Sequence, residues 1–218
     1  MAERVVVVTG SQGGIGSAMV DRFTRGGDAV VGLDLLDGVD VSQPAHCAAA
    51  VEQIVRDLGR LDVLCNNAGV GAVGDVVSST PQDWQRVFAV NVFGMANMSR
   101  AVLPVMRAAG RGAVVNTCSV VASVGLVDRA VYSASKGAVL ALTRAMAVDE
   151  LPYGIRVNCV SPGTVASPWV ERTVAAQPDP DAALEALRRR QPLGRMVTCA
   201  EVAAAAVYLA DDETFTTG

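Results

Sequence analysis

Short apolar runs rich in valine alternate along this chain with longer stretches whose apolar positions recur at helical spacing. The runs Arg4–Thr9, Ala29–Leu33, Val63–Asn66, Ala113–Cys118 and Ile155–Val160 predict strands. Their nearly unbroken apolar character suits strands covered on both faces. The stretches Ile15–Arg25, Ala45–Leu58, Pro81–Ala108, Tyr132–Leu151 and Ala200–Leu209 predict helices. Thr80-Pro81-Gln82-Asp83 opens the third of these with an N-cap hydroxyl, a proline in the first turn and an acid at the third position. Strand and helix in alternation predict an α/β fold, a doubly wound parallel sheet with helices on both faces. No linker, repeat or low-complexity segment divides residues 1–218, so a single domain is predicted.

Pro162–Gln191 breaks the alternation. It holds Pro162, Gly163, Pro168, Pro178 and Pro180, and it predicts two short helices near Pro168–Ala176 and Asp181–Arg190. An insertion between late elements of such a sheet predicts a helical substrate lid at about 164–192, set over a cleft.

Composition narrows the function. The 218 residues are 51% hydrophobic, which excludes a disordered chain and provides for a sizeable core. A net charge of −4 argues against nucleic acid as a partner. The apolar runs, such as Val5–Val8, are too short to span a bilayer, so no membrane partner is predicted. The N-terminal valine run leads straight into a glycine-rich turn without a signal-peptide pattern, which predicts a cytoplasmic protein. Five cysteines with no Cys-x-x-Cys pair suit free thiols in a reducing compartment. Cys118, beside Ser119, reads as a small buried apolar residue rather than a nucleophile. His46 is the sole histidine, which excludes a multi-histidine metal site, and no metal is predicted.

Two local patterns carry chemistry. The apolar run ending at Thr9 passes directly into Gly10-Ser-Gln-Gly-Gly-Ile-Gly16, where a helix begins. Gly10 permits a tight turn, while Gly14 and Gly16 let backbone approach a pyrophosphate facing the helix N-terminus. Asp34 ends the next strand, 18 residues beyond Gly16. A carboxylate there accepts hydrogen bonds from ribose hydroxyls and repels a 2′-phosphate, and neither Ser11 nor Gln12 supplies a cation, so NAD is the predicted cofactor. The second pattern is Tyr132-Ser-Ala-Ser-Lys136. Four residues apart on a helix, phenol and ammonium share one face. A neighbouring cation favours the phenolate and pulls its pKa from about 10 toward neutrality, as a proton-transfer group near pH 7 requires.

Thr9-Gly-Ser-Gln-Gly-Gly-Ile-Gly16, Asp40-Val41, Asn66-Asn-Ala-Gly69, Asn91, Ser119, Tyr132-Ser-Ala-Ser-Lys136 and Pro162-Gly163 together resemble the short-chain dehydrogenase/reductase family through nearly the whole chain. The resemblance implies a Rossmann-type sheet and an NAD-dependent oxidoreductase that interconverts a secondary alcohol and a ketone. It implies Tyr132 as the general acid/base and Lys136 as the group that lowers the Tyr132 pKa and holds the nicotinamide ribose. Ser119 would hydrogen-bond the substrate oxygen, and Asn91 would hold a water linking Lys136 to solvent. Gly10, Gln12, Gly14, Ile15 and Gly16 form the phosphate loop; Asp40 and Val41 would meet the adenine; Asn67, Ala68 and Gly69 the adenosine-side ribose; Pro162, Gly163, Val165 and Ser167 the nicotinamide. A homotetramer or homodimer is implied through the Pro81–Ala108 and Tyr132–Leu151 helices.

The chain departs from the family pattern in three places. Ser167 stands where the family usually has threonine, a change that keeps the hydroxyl. Five residues separate Asp34 from Asp40, whereas a parallel crossover takes a dozen or more, so the intervening helix is expected to be missing and the third strand vestigial or lost. The family continues past Thr217-Gly218 into one more strand, so this last strand is expected to be absent, with an exposed sheet edge, in a trimmed chain or a fragment.

The substrate is expected to be a small molecule. Arg129, Arg172 and Arg190 attract notice because guanidinium suits bidentate carboxylate binding. The segment Ser119–Tyr132 resembles the cytosolic 3-hydroxybutyrate dehydrogenase branch, in which arginines at these three positions are implied carboxylate binders; Pro162–Pro168 and Arg190–Arg195 are similar to that branch and to sugar and sugar-acid dehydrogenases. Small hydroxy acids or sugar acids therefore lead. The rivals are a 3-oxoacyl reductase, a neutral polyol or cyclic diol dehydrogenase, and a catalytically silent cofactor-binding protein.

Overall fold

Alternation within the strands decides how the layers form. In a computed structural model that describes residues 4–218, β1 (Val5–Thr9) is buried along its whole length. Its Val5 and Val7 join one core cluster, and Val6 and Val8 join another. Successive side chains point to opposite faces, so a strand apolar at every position belongs between two helical layers. Each valine buried in this way contributes about 1.5–3 kcal/mol. β2 (Ala29–Leu33), β3 (Val63–Asn66), β4 (Gly112–Thr117) and β5 (Ile155–Val160) pair in parallel with it in the order β2-β1-β3-β4-β5.

One face of the sheet carries α2 (Pro44–Leu58), α4 (Met95–Ala109) and α5 (Ala130–Asp149), through Val51, Ile54, Met98, Val102 and Met146. The other carries α1 (Gly14–Arg25) and α8 (Cys199–Ala210), through Met19, Phe23, Val202 and Ala206. The architecture is the doubly wound sheet that the sequence predicts. A Rossmann sheet has the order 3-2-1-4-5-6. Here no strand lies between Leu33 and Pro44, and the link is a 3-10 turn, Leu35–Asp37, closed by Gly38 at φ 82°. Removing the third strand and renumbering gives the observed order and leaves β2 at the edge. No strand follows α8 among the described residues; instead Gly218 N donates to Val157 O at 2.9 Å and Asn158 Nδ2 to Thr216 O at 2.8 Å, so the chain runs beside β5.

One predicted helix is divided. Pro81–Ala108 forms α3 (Pro81–Phe88), a π turn at Ala89–Gly94, and α4. The widened turn carries Asn91 into the interior, where it is 2% exposed. Gly94 closes it against Val41, whose Cγ2 would lie 2.6 Å from a Cβ at that position. Thr80 and Asp83 form a reciprocal capping box at the start of α3, as the sequence implies.

After β5 the chain forms β6 (Val165–Ala166), α6 (Pro168–Ala175) and α7 (Pro180–Arg189), then β7 (Val197–Thr198), which pairs in parallel with β6. Ser167 caps α6 and Asp179 caps α7. Among the described residues no helix is long and apolar enough to cross a membrane.

Gly94→Ala tests the contact between the π turn and the shortened crossover. Overpacking against Val41 is expected to exceed the helix preference of alanine and cost about 1–2 kcal/mol in urea unfolding. Adding Val41→Ala relieves the Gly94→Ala clash, giving a favourable coupling in the double-mutant cycle. Gly94→Ala with undiminished stability contradicts this packing.

Candidate active site

The strand order reverses direction at β1, so a crevice opens beyond the carboxyl ends of β1 and β3. Gly10 turns the chain out of β1 at φ 65°, and a Cβ there would lie 2.9 Å from Ala68 Cα. A Cβ on Gly16 would lie 2.0 Å from Gly10 O, so this turn packs against α1 only without side chains. No side chain caps α1, which leaves the amides of Gly14, Ile15 and Gly16 unpaired by the helix itself. Thr9 Oγ1 accepts from the amides of Asn67 and Ala68, each at 3.0 Å, and Asn67 Nδ2 donates back to Thr9 O and Gly10 O. These bonds lock the loop after β3 onto the loop after β1.

Asp34 sits at the rim of this crevice. Its carboxylate accepts from the amides of Gln12 and Leu36, each at 3.1 Å, while Gln12 Nε2 donates to Asp37 at 2.8 Å. Neither Asp34 nor Asp37 has an arginine or lysine partner among the described residues. Asp40 accepts from Ser42 N, and Val41 is buried with its carbonyl accepting from Asn97 Nδ2.

A cleft of about 490 Å³ continues from Ile15, Asn67 and Gly69 past Pro162, Gly163, Val165 and Ser167 to the predicted reacting groups. Ser119 leaves the end of β4, and Val120 N donates to Pro162 O at 3.0 Å, which holds this loop against the one after β5. Tyr132 lies in the first turn of α5 and Lys136 one turn on; both line the cleft with Ser119. Lys136 is 4% exposed. Its Nζ donates to Thr117 O at 2.7 Å and lies 5.7 Å from the centre of the Tyr132 ring. Asn91 Oδ1 accepts from Val70 N, and its Nδ2 donates to Val70 O and to Ser135 Oγ. Ser135 Oγ in turn donates to Tyr132 O at 2.7 Å.

The electrostatics differ from the expectation of a cation-depressed tyrosine. Burial pushes the Tyr132 phenol above its ordinary value, and the hydrogen bond with Ser119 offsets this only in part. Burial also lowers the Lys136 ammonium to about 8. Each neutral form is favoured because a charge at this depth is poorly solvated. Cys118 is buried, as expected, but its Sγ donates to Lys136 O, and hydrogen bonding with Cys159 holds its thiol below the ordinary value despite burial, so its surroundings are polar rather than purely apolar.

Arg129 and Arg190 line the cleft. Arg172 is exposed on α6 and is not part of the lining, so it does not join them. Arg86, on α3, takes a place there that sequence reasoning missed, because three residues from Asp83 it reads as an ordinary surface arginine. Trp169 also lines the cleft, packed beside Gly71.

Comparison with known proteins shows the family. A family model described as enoyl-(acyl carrier protein) reductase matches residues 10–218. L-fucose dehydrogenase from Bos taurus is 39% identical over 100% of this chain and 86% of its own length. Among solved structures, the aldohexose dehydrogenase of Thermoplasma acidophilum superposes with a TM-score of 0.92 at 32% identity, covering 99% of this chain and 90% of that one. An NAD+-bound xylitol dehydrogenase superposes with a TM-score of 0.91 at 31% identity, covering 98% and 95%. With such matches along almost its full length, the chain belongs to the short-chain dehydrogenase/reductase family and is an oxidoreductase acting on CH–OH groups.

Proposed function

We propose that this protein is an NAD-dependent dehydrogenase that oxidises a secondary alcohol of a small sugar or sugar acid, and reduces the ketone in reverse. The carrying observation is one continuous cleft with Ser119, Tyr132 and Lys136 at one end and the uncapped start of α1 at the other.

The residues fit a dinucleotide. The bare amides of Gly14, Ile15 and Gly16, with Gly10 and Gln12 in the same loop, suit a pyrophosphate. Asp34 suits ribose hydroxyls, and with Asp37 beside it the rim repels a 2′-phosphate, which supports NAD over NADP. Gly69 leaves room beside Lys136 Nζ, 3.6 Å from where its Cβ would stand. Asn67 and Ala68 would border the ribose on the same side, Asp40 and Val41 the adenine, and Pro162, Gly163, Val165 and Ser167 the nicotinamide. NAD, when bound, supplies the hydride acceptor.

Ser119 donates a hydrogen bond to the substrate oxygen and holds the carbinol against Tyr132. The Tyr132 phenolate accepts the hydroxyl proton as the carbonyl forms. A positive charge brought next to the phenol lowers its pKa and offsets the burial that raises it. Lys136 returns the proton toward the interior. A cavity of about 10 Å³ lined by Thr9, Asn66, Asn91, Thr117 and Lys136 has the size for one water, and Asn66 Oδ1 has no protein partner. This supports Asn91 and Lys136 as two walls of a proton path. The segment at about 164–192 acts as the substrate lid. Exposed Phe93 and Val148, on the outer side of the π turn and α5, support a homotetramer or homodimer, and the free thiols support a reducing, cytoplasmic setting.

In a Tyr153→Phe, Tyr208→Phe background Tyr132 is the one tyrosine left to titrate. Without cofactor its phenolate absorbance is expected to rise above the ordinary range near pH 10; ionisation below that range contradicts the dominance of burial. Tyr132→Phe is expected to lower kcat by about 10²–10⁴-fold while NAD affinity changes little, by titration of nicotinamide fluorescence. Retained activity contradicts the assigned proton transfer. Asp34→Asn removes charge with little change of shape, and the kcat/KM preference for NAD over NADP is expected to fall about tenfold, the scale of one lost charged hydrogen bond. An unchanged ratio removes Asp34 from cofactor selection.

A further inference from the structure

Gln191 follows directly on the C-cap of α7, at the end of the lid segment. No residue of α7 is buried, so little packing holds this helix in place. Among the described residues, Gln191 is the one side chain of 179–191 that hydrogen-bonds outside that segment. Its Oε1 accepts from Thr164 N at 3.3 Å, and its Nε2 donates to Thr164 Oγ1 at 3.1 Å and to Leu187 O at 3.5 Å. A backbone N–H only donates, so the Thr164 amide fixes which end of the Gln191 side chain faces it. Leu187 O lies in the last turn of α7, where carbonyls lack partners within the helix, and Gln191 N turns instead to Arg188 O. One side chain therefore finishes the lid helix and clamps it to the loop after β5.

That loop reaches both ends of the reaction. A Cβ on Gly163 would collide with Gln191 Oε1, so the clamp closes only over a glycine. Thr164 O accepts from Val197 N at 3.1 Å, which leaves both backbone groups of Thr164 held, one from the end of α7 and one from β7. Pro162 O accepts from Val120 N at 3.0 Å, the residue after Ser119. Pro162, Gly163 and Thr164 line the cleft, as do Leu187 and Arg190 of the lid, whereas Gln191 does not. Any effect of Gln191 on the site must therefore pass through the Gly163–Thr164 peptide.

We propose that Gln191 is a positioning residue which ties the Gly163–Thr164 peptide to the lid helix, so that the nicotinamide half of the cofactor and the lid are seated together. This rests on the proposed dehydrogenase reading, which sets the nicotinamide against Pro162, Gly163, Val165 and Ser167. The coupling is reciprocal: a nicotinamide that favours the clamped loop favours the seated lid by the same factor. The pyrophosphate and adenosine half lies at the other end of the cleft, on the loop after β1 and on Asp34, beyond the reach of this clamp.

The test reads binding rather than turnover. NADH and ADP-ribose, which lacks the nicotinamide, are titrated by calorimetry, and tryptic cleavage at exposed Arg188, Arg189 and Arg190 is followed with each ligand bound. In the wild type NADH is expected to slow cleavage and ADP-ribose to leave it unchanged. In Gln191→Ala the NADH affinity is expected to fall about tenfold, the scale of the lost hydrogen bonds, with ADP-ribose affinity unchanged and the protection by NADH gone. Gln191→Glu, whose carboxylate accepts from both Thr164 N and Thr164 Oγ1, is expected to restore affinity and protection in large part. Equal weakening of NADH and ADP-ribose in Gln191→Ala, or no change in either, overturns the positioning role and leaves the dehydrogenase reading standing. Protection by NADH that survives in Gln191→Ala overturns the tie between loop and lid. A wild type that binds neither ligand overturns the dehydrogenase reading and this proposal with it. If Gln191→Ala does not fold, Gln191→Met, which keeps the length and removes the amide, decides by the same comparison.

Discussion

A chain of hydrogen bonds from β1 to α5 holds the site together, with Asn91 at its centre. Thr9 accepts the amides of Asn67 and Ala68; the same loop runs on to Val70, which exchanges two hydrogen bonds with Asn91; Asn91 donates to Ser135; Ser135 donates to the carbonyl of Tyr132. The phosphate-loop end and the tyrosine end of the cleft are therefore joined by buried and half-buried polar contacts rather than by packing alone. Buried amides and hydroxyls left unpaired would cost about 1–3 kcal/mol each, so the chain forms as a unit. The π turn is part of this arrangement. It brings Asn91 inside beside the loop after β3, where bare Gly69 leaves room for Asn91 Oδ1, 3.3 Å from where its Cβ would stand.

The same enclosure sets the proton chemistry. A phenol raised and an ammonium lowered by burial form a pair in which neither charge is well solvated. Lys136 spends a donor on Thr117 O, at the end of β4, so its position comes from the sheet as well as from its own helix. Any positive charge delivered into the cleft then shifts Tyr132 more than it would in water, because the surroundings screen it weakly. Arg86, on the cleft wall, is the opposite case: it stays half exposed, paired with Asp83 at 3.7 Å and donating to Gly71 O.

The layered sheet was legible because strands buried on both faces read as unbroken apolar runs, and valine at 5 through 8 fills both cores. The lost third strand was legible from chain length, since five residues between Asp34 and Asp40 cannot cross a sheet. Glycines in the first loop and the Tyr132–Lys136 spacing marked both ends of the cleft for local reasons. What stayed hidden depends on direction in space. A π turn adds one residue to a helical turn and barely disturbs its apolar spacing, so α3 and α4 read as one helix. Arg172 and Arg86 differ in which way their helices present them, which no spacing in the sequence records. The rise in the Tyr132 pKa was hidden for a similar reason, because adjacency to Lys136 was visible and the burial of both was not.

Transfer of a labelled hydride tests the central claim most directly, since it requires both ends of the cleft to act together. Sugars and sugar acids carrying deuterium on the carbinol carbon would be incubated with the purified protein and NAD+, and the reduced nicotinamide analysed by mass. The account predicts deuterium in the reduced nicotinamide with one equivalent of ketone formed, and loss of transfer in Tyr132→Phe. NAD+ bound with no deuterium transferred from any member of the panel would contradict it.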